Sequence, residues 1–226
     1  MRELLTKWFP YVMQQPQEFL DSIVETLIMT GWAGALMFII GLVLGVALVV
    51  TKEGGIGENR VIFQILDKVI NLFRSIPFVI LIALLMNVTR MIMGTRIGIK
   101  GVIVPLVIGS APFFARQVDS ALCSVSPGLI EAAKSMGCRP LGIIFRVYLK
   151  EGAAAIARGT TITLISLIGL TAMAGYVGAG GLGDYAIVYG YNYNRMDIVW
   201  ASVIAIVLLV TIIQAIGTWI AKKNTH

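Results

Sequence analysis

Histidine occurs once in this sequence, as His226 at the last position. Without an internal histidine the chain has no imidazole for acid–base work and loses most transition-metal sites, so neither a catalytic residue nor a metal ligand is assigned. Cysteine is almost as scarce. Cys123 and Cys138 lack metal-ligand spacing and are too few for a disulfide framework. No Gly-x-x-x-x-Gly-Lys-Ser/Thr stretch occurs, so the chain carries no phosphate-cradling loop for ATP. No cofactor is expected. Charge is scarce too: 13% of residues are charged and 58% hydrophobic, whereas soluble domains are about a quarter charged. Residues 1–17 contain Trp8, Pro10 and Pro16 but no apolar core with a small-residue cleavage site, and read as an interfacial lead-in.

What the chain has is long apolar runs. Leu27 to Val50 is uncharged over 24 residues, about 36 Å of helix against a hydrocarbon core of about 30 Å. Ser75 to Thr89 is uncharged over 15 residues, only about 22 Å, so this helix is expected to extend back past Arg74 toward Lys68. Gly101 to Ala115 seeds a third span, made irregular by Pro105 and Pro112; Gly159 to Val177 a fourth, and Ile198 to Ile220 a fifth. The expected fold is therefore an all-α polytopic membrane protein in one domain, residues 1–226. Its spans lie near 20–50, 60–89, 98–121, 153–177 and 198–221, with a charged loop over 122–152 between the third and fourth.

Five spans place the termini on opposite faces. With the C-terminus inside, 12 basic residues are cytoplasmic and 6 external, which the positive-inside rule favours. The inside set is Lys52, Arg60, Lys68, Arg74, the six in residues 116–158, Lys222 and Lys223; the outside set is Arg2, Lys7, Arg90, Arg96, Lys100 and Arg195. Basic residues scattered between apolar runs anchor a membrane protein and do not form a nucleic-acid groove, so the net charge of +6 is no argument for a nucleic-acid partner.

Several short patterns admit two readings. Gly178-Ala-Gly180-Gly181-Leu-Gly183 formally satisfies the dinucleotide fingerprint, with Asp197 downstream, but no strand precedes it and no βαβ unit surrounds it. A close-packed external turn, part of an outer gate, suits it better. Gly41-x-x-x-Gly45 is either a dimerisation face or packing within the chain. Gly159, Thr163, Ser166, Gly169 and Met173 fall within about 120° of one another on a helix, which suits a solute path with Met173 as its gate, and equally suits tight helix packing. Arg74, ahead of Ser75-Ile76-Pro77, puts a charge inside a span at a cost of about 2.5–3.5 kcal/mol at the centre. It needs a partner, Asp67 or Asp119, and acts either as a clamp or in the path. Tyr185, Tyr189, Tyr191 and Tyr193 read as an interfacial belt.

In the charged loop, Ser126-Pro127 is a helix start, the hydroxyl capping a free backbone N–H and proline taking the first turn. Gly137 is the stop, and Pro140 opens a second short helix through Leu149. Leu129, Ala132, Ala133 and Met136 give the first helix an apolar side for docking, while Glu131 and Lys134 remain polar; the alternative is a helix resting on its own membrane domain.

Glu131-Ala132-Ala133, three residues, then Gly137 resembles the EAA motif of ABC importer permeases. The family's later Leu-Pro falls here on Leu149-Lys150, so the proline is absent. Asn71-Leu-Phe-Arg-Ser-Ile-Pro-Phe78, Ile103-Val-Pro-Leu106, Ala111-Pro-Phe-Phe-Ala-Arg116 and Val177-Gly-Ala-Gly-Gly-Leu-Gly183 are similar to the methionine-importer branch, over residues 20–222. The resemblance implies the type I ABC importer permease fold in a bacterial inner membrane, assembled as a homodimer of five-helix subunits. It further implies two cytoplasmic ATP-binding subunits that do the hydrolysis, an external substrate-binding protein, and methionine as the solute. Glu131, Ala132, Ala133, Met136 and Gly137 would couple to the ATPase. Another small solute is the close alternative. An ion-gradient carrier fits less well, because Asp67, Asp119 and Glu151 sit near span ends, and no paired acids or Ser–Lys pair at depth suggest an embedded enzyme.

Overall fold

A computed structural model describes residues 8–224; the first seven residues of the N-terminal lead-in, Arg2 and Lys7 among them, and His226 lie outside them. All regular structure among the described residues is helical. Proline opens α1 (Pro10–Gln14) and α2 (Pro16–Thr51), where the missing N–H costs nothing because first-turn donors have no intrahelical partner. At 36 residues, α2 is about 54 Å long, well beyond a hydrocarbon core.

Asn59 caps α3 (Arg60–Ser75), its side-chain oxygen accepting from the Ile62 N–H at 3.1 Å. The helix expected to run from near Lys68 past Arg74 to Thr89 is not continuous. α3 stops at Ser75, Ile76 and Pro77 are extended with ψ of 122° and 135°, and α4 runs over Phe78–Met93. The proline ring excludes the helical region for the residue before it, which is why the break falls here. The two helices meet the length and apolarity of a membrane span only as a pair sharply bent at the break.

Pro105 and Pro112 do not interrupt α5 (Gly98–Cys123). The charged loop forms α6 (Pro127–Ser135) and α7, which starts at Pro140–Ile143, widens to a π-turn over Ile144–Tyr148 and closes over Leu149–Glu151. α8 (Ala153–Ala174) tightens to a 3₁₀ turn at Gly175–Val177; α9 (Gly181–Asp184) leads through π and 3₁₀ turns into α10 (Met196–Lys223). Pro16–Thr51, Gly98–Cys123, Ala153–Val177 and Met196–Lys223 are each long and apolar enough to cross a membrane, and the bent pair makes up to five.

The chain divides into two compact units. The first is Met1–Ala35, Pro77–Val107 and Leu164–Ile213. One cluster in its core joins Val12, Tyr185, Ile198 and Ala201, with Phe9 and Phe19 against them. Tyr185 thus leaves the expected aromatic belt: it is 4% exposed, while Tyr191 and Tyr193 are about two-thirds exposed.

The second unit is Leu36–Ile76, Ile108–Thr163 and Gln214–His226. Here α2 packs on α5 through the glycine pair. A Cβ on Gly41 would lie 2.7 Å from Phe114 Cδ1, and one on Gly45 2.5 Å from Val118 Cβ and 2.7 Å from the Ala115 carbonyl oxygen. The Gly-x-x-x-Gly pattern therefore serves packing within the chain. Close approach matters in lipid, where association rests on van der Waals contact and not on expelled water.

Candidate functional site

The loop helix α6 has the ending that its glycine anticipates. Gly137 sits at φ +75°, its N–H donates to the Lys134 carbonyl at 2.9 Å, and the Cys138 N–H donates to the Ala133 carbonyl at 3.1 Å. This is the Schellman arrangement, which satisfies the last carbonyls of a helix and turns the chain sharply. The start differs from expectation: the Ser126 side chain makes no capping bond, and the Leu129 N–H instead donates to the Ser126 backbone carbonyl at 3.1 Å. Of the motif residues, Ala133 is 3% exposed and seats the helix. Glu131, Ala132, Lys134 and Gly137 face outward, flanked by Leu129 at 47% and Met136 at 75% exposure. Leu141 and Phe145 on α7 are equally open. A polar acid and exposed apolar side chains on a rigid helix–turn–helix make a surface shaped to be held by another protein.

The glycine-rich turn is held from α2. The Gly181 N–H donates to Glu25 Oε2 at 2.7 Å and the Leu182 N–H donates to Thr26 Oγ1 at 2.9 Å, while the Gly98 N–H donates to the Gly178 carbonyl at 3.0 Å. Gly178, Gly180 and Gly181 all have φ between +76° and +82°, a region that a Cβ makes costly. Gly183 has no room for a Cβ at all, since it would run into the backbone of Ala172. Glu25 and Thr26 thus hold the turn, a pairing that sequence reasoning missed. The available signal was an acid directly ahead of an otherwise uncharged run. Burial, and then the charge of Glu25, push the Asp184 carboxyl in this turn above its ordinary range.

The small-residue arc on α8 splits. Thr163 is fully buried, its hydroxyl donating to the Gly159 carbonyl at 2.8 Å, and a Cβ on Gly159 would lie 2.8 Å from Gln117 Cβ. These two are packing residues. Ser166 and Gly169 are exposed, with nothing within 4 Å of a Cβ built on Gly169, and Met173 is 41% exposed. Arg74 and Pro77 are exposed. The carboxylates considered for Arg74 belong to another cation: Arg116 pairs closely with Asp67 and, at 3.3 Å, with Asp119, and donates to Asn71 Oδ1 at 3.2 Å. Among the described residues no cluster of three metal-ligating side chains occurs.

Residues 37–226 match the family of binding-protein-dependent transport system inner membrane components. The chain belongs to that family. Among its relatives is the probable D-methionine transport system permease protein of Vibrio cholerae, 46% identical over 202 residues that cover 89% of this chain and 90% of the relative. The methionine import system permease protein of Bacillus subtilis is 46% identical over 77% of this chain and 79% of its own length. A solved structure of inward-facing conformations of the MetNI methionine ABC transporter superposes with a TM-score of 0.91 at 41% identity, covering 94% of this chain and 99% of that one. The inner membrane component is thus a multi-pass bacterial permease with the type I ABC importer fold. Its outward-facing loop helix and its glycine turn lie in different compact units, each complete in its own hydrogen bonds.

Proposed function

We propose that this permease subunit carries methionine across the inner membrane as part of an ATP-driven importer. Two copies form the path, two cytoplasmic ATP-binding subunits seat the loops around Glu131–Gly137, and an extracytoplasmic binding protein delivers the solute. The observation that carries the reading is the Schellman-terminated loop helix, which offers Glu131, Leu129 and Met136 outward on a chain without a P-loop of its own. The relatives' names, methionine permeases, and the match to a methionine ABC transporter support the choice of solute.

ATP binding draws the paired loops together and rocks the helices so that the path faces outward; hydrolysis resets it inward. Ser166, Gly169 and Met173 line the path, Met173 serving as the gate, because their face of α8 is open. Gly178, Gly180, Gly181 and Gly183 form the external turn. The N-terminus is external and the C-terminus cytoplasmic. In favour of this orientation, all 12 basic residues assigned inside fall in the second compact unit, and the described external ones, Arg90, Arg96, Lys100 and Arg195, fall in the first.

The test is ATP-driven uptake of labelled methionine in proteoliposomes containing the permease, its ATPase partner and the binding protein. Proline at position 137 cannot take φ +75° and has no N–H for the Lys134 carbonyl. Gly137→Pro and Ala132→Glu are expected to lower uptake about tenfold or more while insertion persists. Full transport by both variants, or failure of an ATPase to co-purify, would overturn the mechanism; uptake of a different solute alone would overturn only the choice of methionine.

A further inference from the structure

We infer that the first unit holds a site for one diacyl phospholipid with a zwitterionic, amine-bearing headgroup, seated in a groove between the start of α2 and the outer part of α10. The groove encloses about 500 Å³, and every lining side chain is apolar, among them Met13, Phe19, Leu20, Ile23, Ile204 and Leu208. The lining residues of α10 run from Ala201 to Leu209 at helical spacing, one face about 12 Å long. The uncharged runs of these two helices are Leu27–Val50 and Ile198–Ile220, so the groove, with its α2 wall at Pro16–Ile23, lies where the spans reach the headgroup region and the acyl chains begin. An acyl chain is the occupant that buries there without stranding a polar group.

Charge at the mouth selects the headgroup. Arg195 directly precedes α10, about 9 Å before Ala201, with its guanidinium 4.6 Å from the Tyr11 ring centre and 5.4 Å from that of Tyr193. The ion pairs among the described residues both belong to Arg116, so Arg195 is a cation braced by rings and without a carboxylate partner, suited to a phosphate. Two acids share this corner. Asp197 accepts the Tyr11 N–H at 2.8 Å, and Asp197, Glu18 and Arg195 all act electrostatically on Tyr185. Two acids against one cation repel a purely anionic headgroup but match a phosphate that carries its own ammonium.

The permease, purified with its ATPase partner in non-ionic detergent from membranes rich in phosphatidylethanolamine and phosphatidylglycerol, is washed free of bulk lipid, and the retained phospholipid is extracted and quantified by class. The expected result is one phosphatidylethanolamine per permease chain. Leu208→Trp fills the groove and lowers retention about tenfold; Arg195→Gln, which leaves the groove empty, removes the charged contact and lowers it comparably. Val203→Trp, on the opposite face of α10, retains the lipid. Retention at detergent background in the unaltered protein, unchanged retention in both groove variants, or phosphatidylglycerol held as well as phosphatidylethanolamine would overturn the site. So would a disulfide between two permease chains bearing Leu208→Cys, since the occupant would then be a second copy. Should Leu208→Trp fail to assemble, Arg195→Gln and Leu20→Trp give the same reading. Methionine uptake is measured separately, so failure of the lipid site and failure of the transport reading are told apart.

Discussion

Arg116 shows how a charge is kept within a helix of apolar surroundings. Its side chain is 21% exposed, and those of its partners Asp67 and Asp119 are 33% and 22% exposed. Removing one member of such a set leaves charges that water reaches poorly. Arg116→Ala is expected to lower stability by roughly 1–3 kcal/mol, less than for a fully buried pair because each side chain retains some solvent. Thermal denaturation of the detergent-purified permease checks this, and Asp67→Asn together with Arg116→Ala should be milder than the single change. Arg74 had the same claim on Asp67 by sequence, yet seven residues along a helix is about 10.5 Å, beyond the three- or four-residue spacing at which side chains meet. Asp67 and Asn71, four apart, present one face together and are met by Arg116 from α5.

Elements separate residues that composition cannot. Gly45 and Gly169 are both glycines in membrane-length helices, but a Cβ on Gly45 meets Val118 and the Ala115 carbonyl, while one on Gly169 meets nothing within 4 Å. Gly45→Val is therefore expected to cost about 1–3 kcal/mol through overpacking. Gly169→Ala should leave stability within about 0.5 kcal/mol and, if this face lines the path, change methionine uptake on its own. Equal destabilisation of the two variants would contradict the assignment. Some elements were legible beforehand. Pro127 and Gly137 bracket α6 by local rules, because proline suits a first turn and glycine a left-handed stop. The break at Ile76–Pro77 was equally local, but the demand for a membrane-length helix obscured it.

At the scale of the whole molecule, the 12 cations assigned to the inside by the proposed topology and the described ones assigned to the outside separate by compact unit as well as by loop. Orientation is tested with a membrane-impermeant maleimide. Cys138, exposed and free on the loop, should be labelled in inside-out vesicles and not in intact cells, and Asn192→Cys in a background lacking Cys123 and Cys138 should show the reverse. Labelling of Cys138 from the outside would invert the proposed topology.

Hydropathy, the spacing of breakers and the basic residues determined the membrane class, the helical fold and the loop helix, because each depends on neighbours in sequence or on the solvent a segment meets. Only the tertiary structure decided that Arg116 takes Asp67, that Glu25 and Thr26 hold a turn 156 positions away, that Tyr185 is core, and that Thr163 packs while Ser166 lies open. Those choices depend on which helix faces come into contact, and a short hydroxyl or glycine at helical spacing suits a packed seam and a solute path equally well.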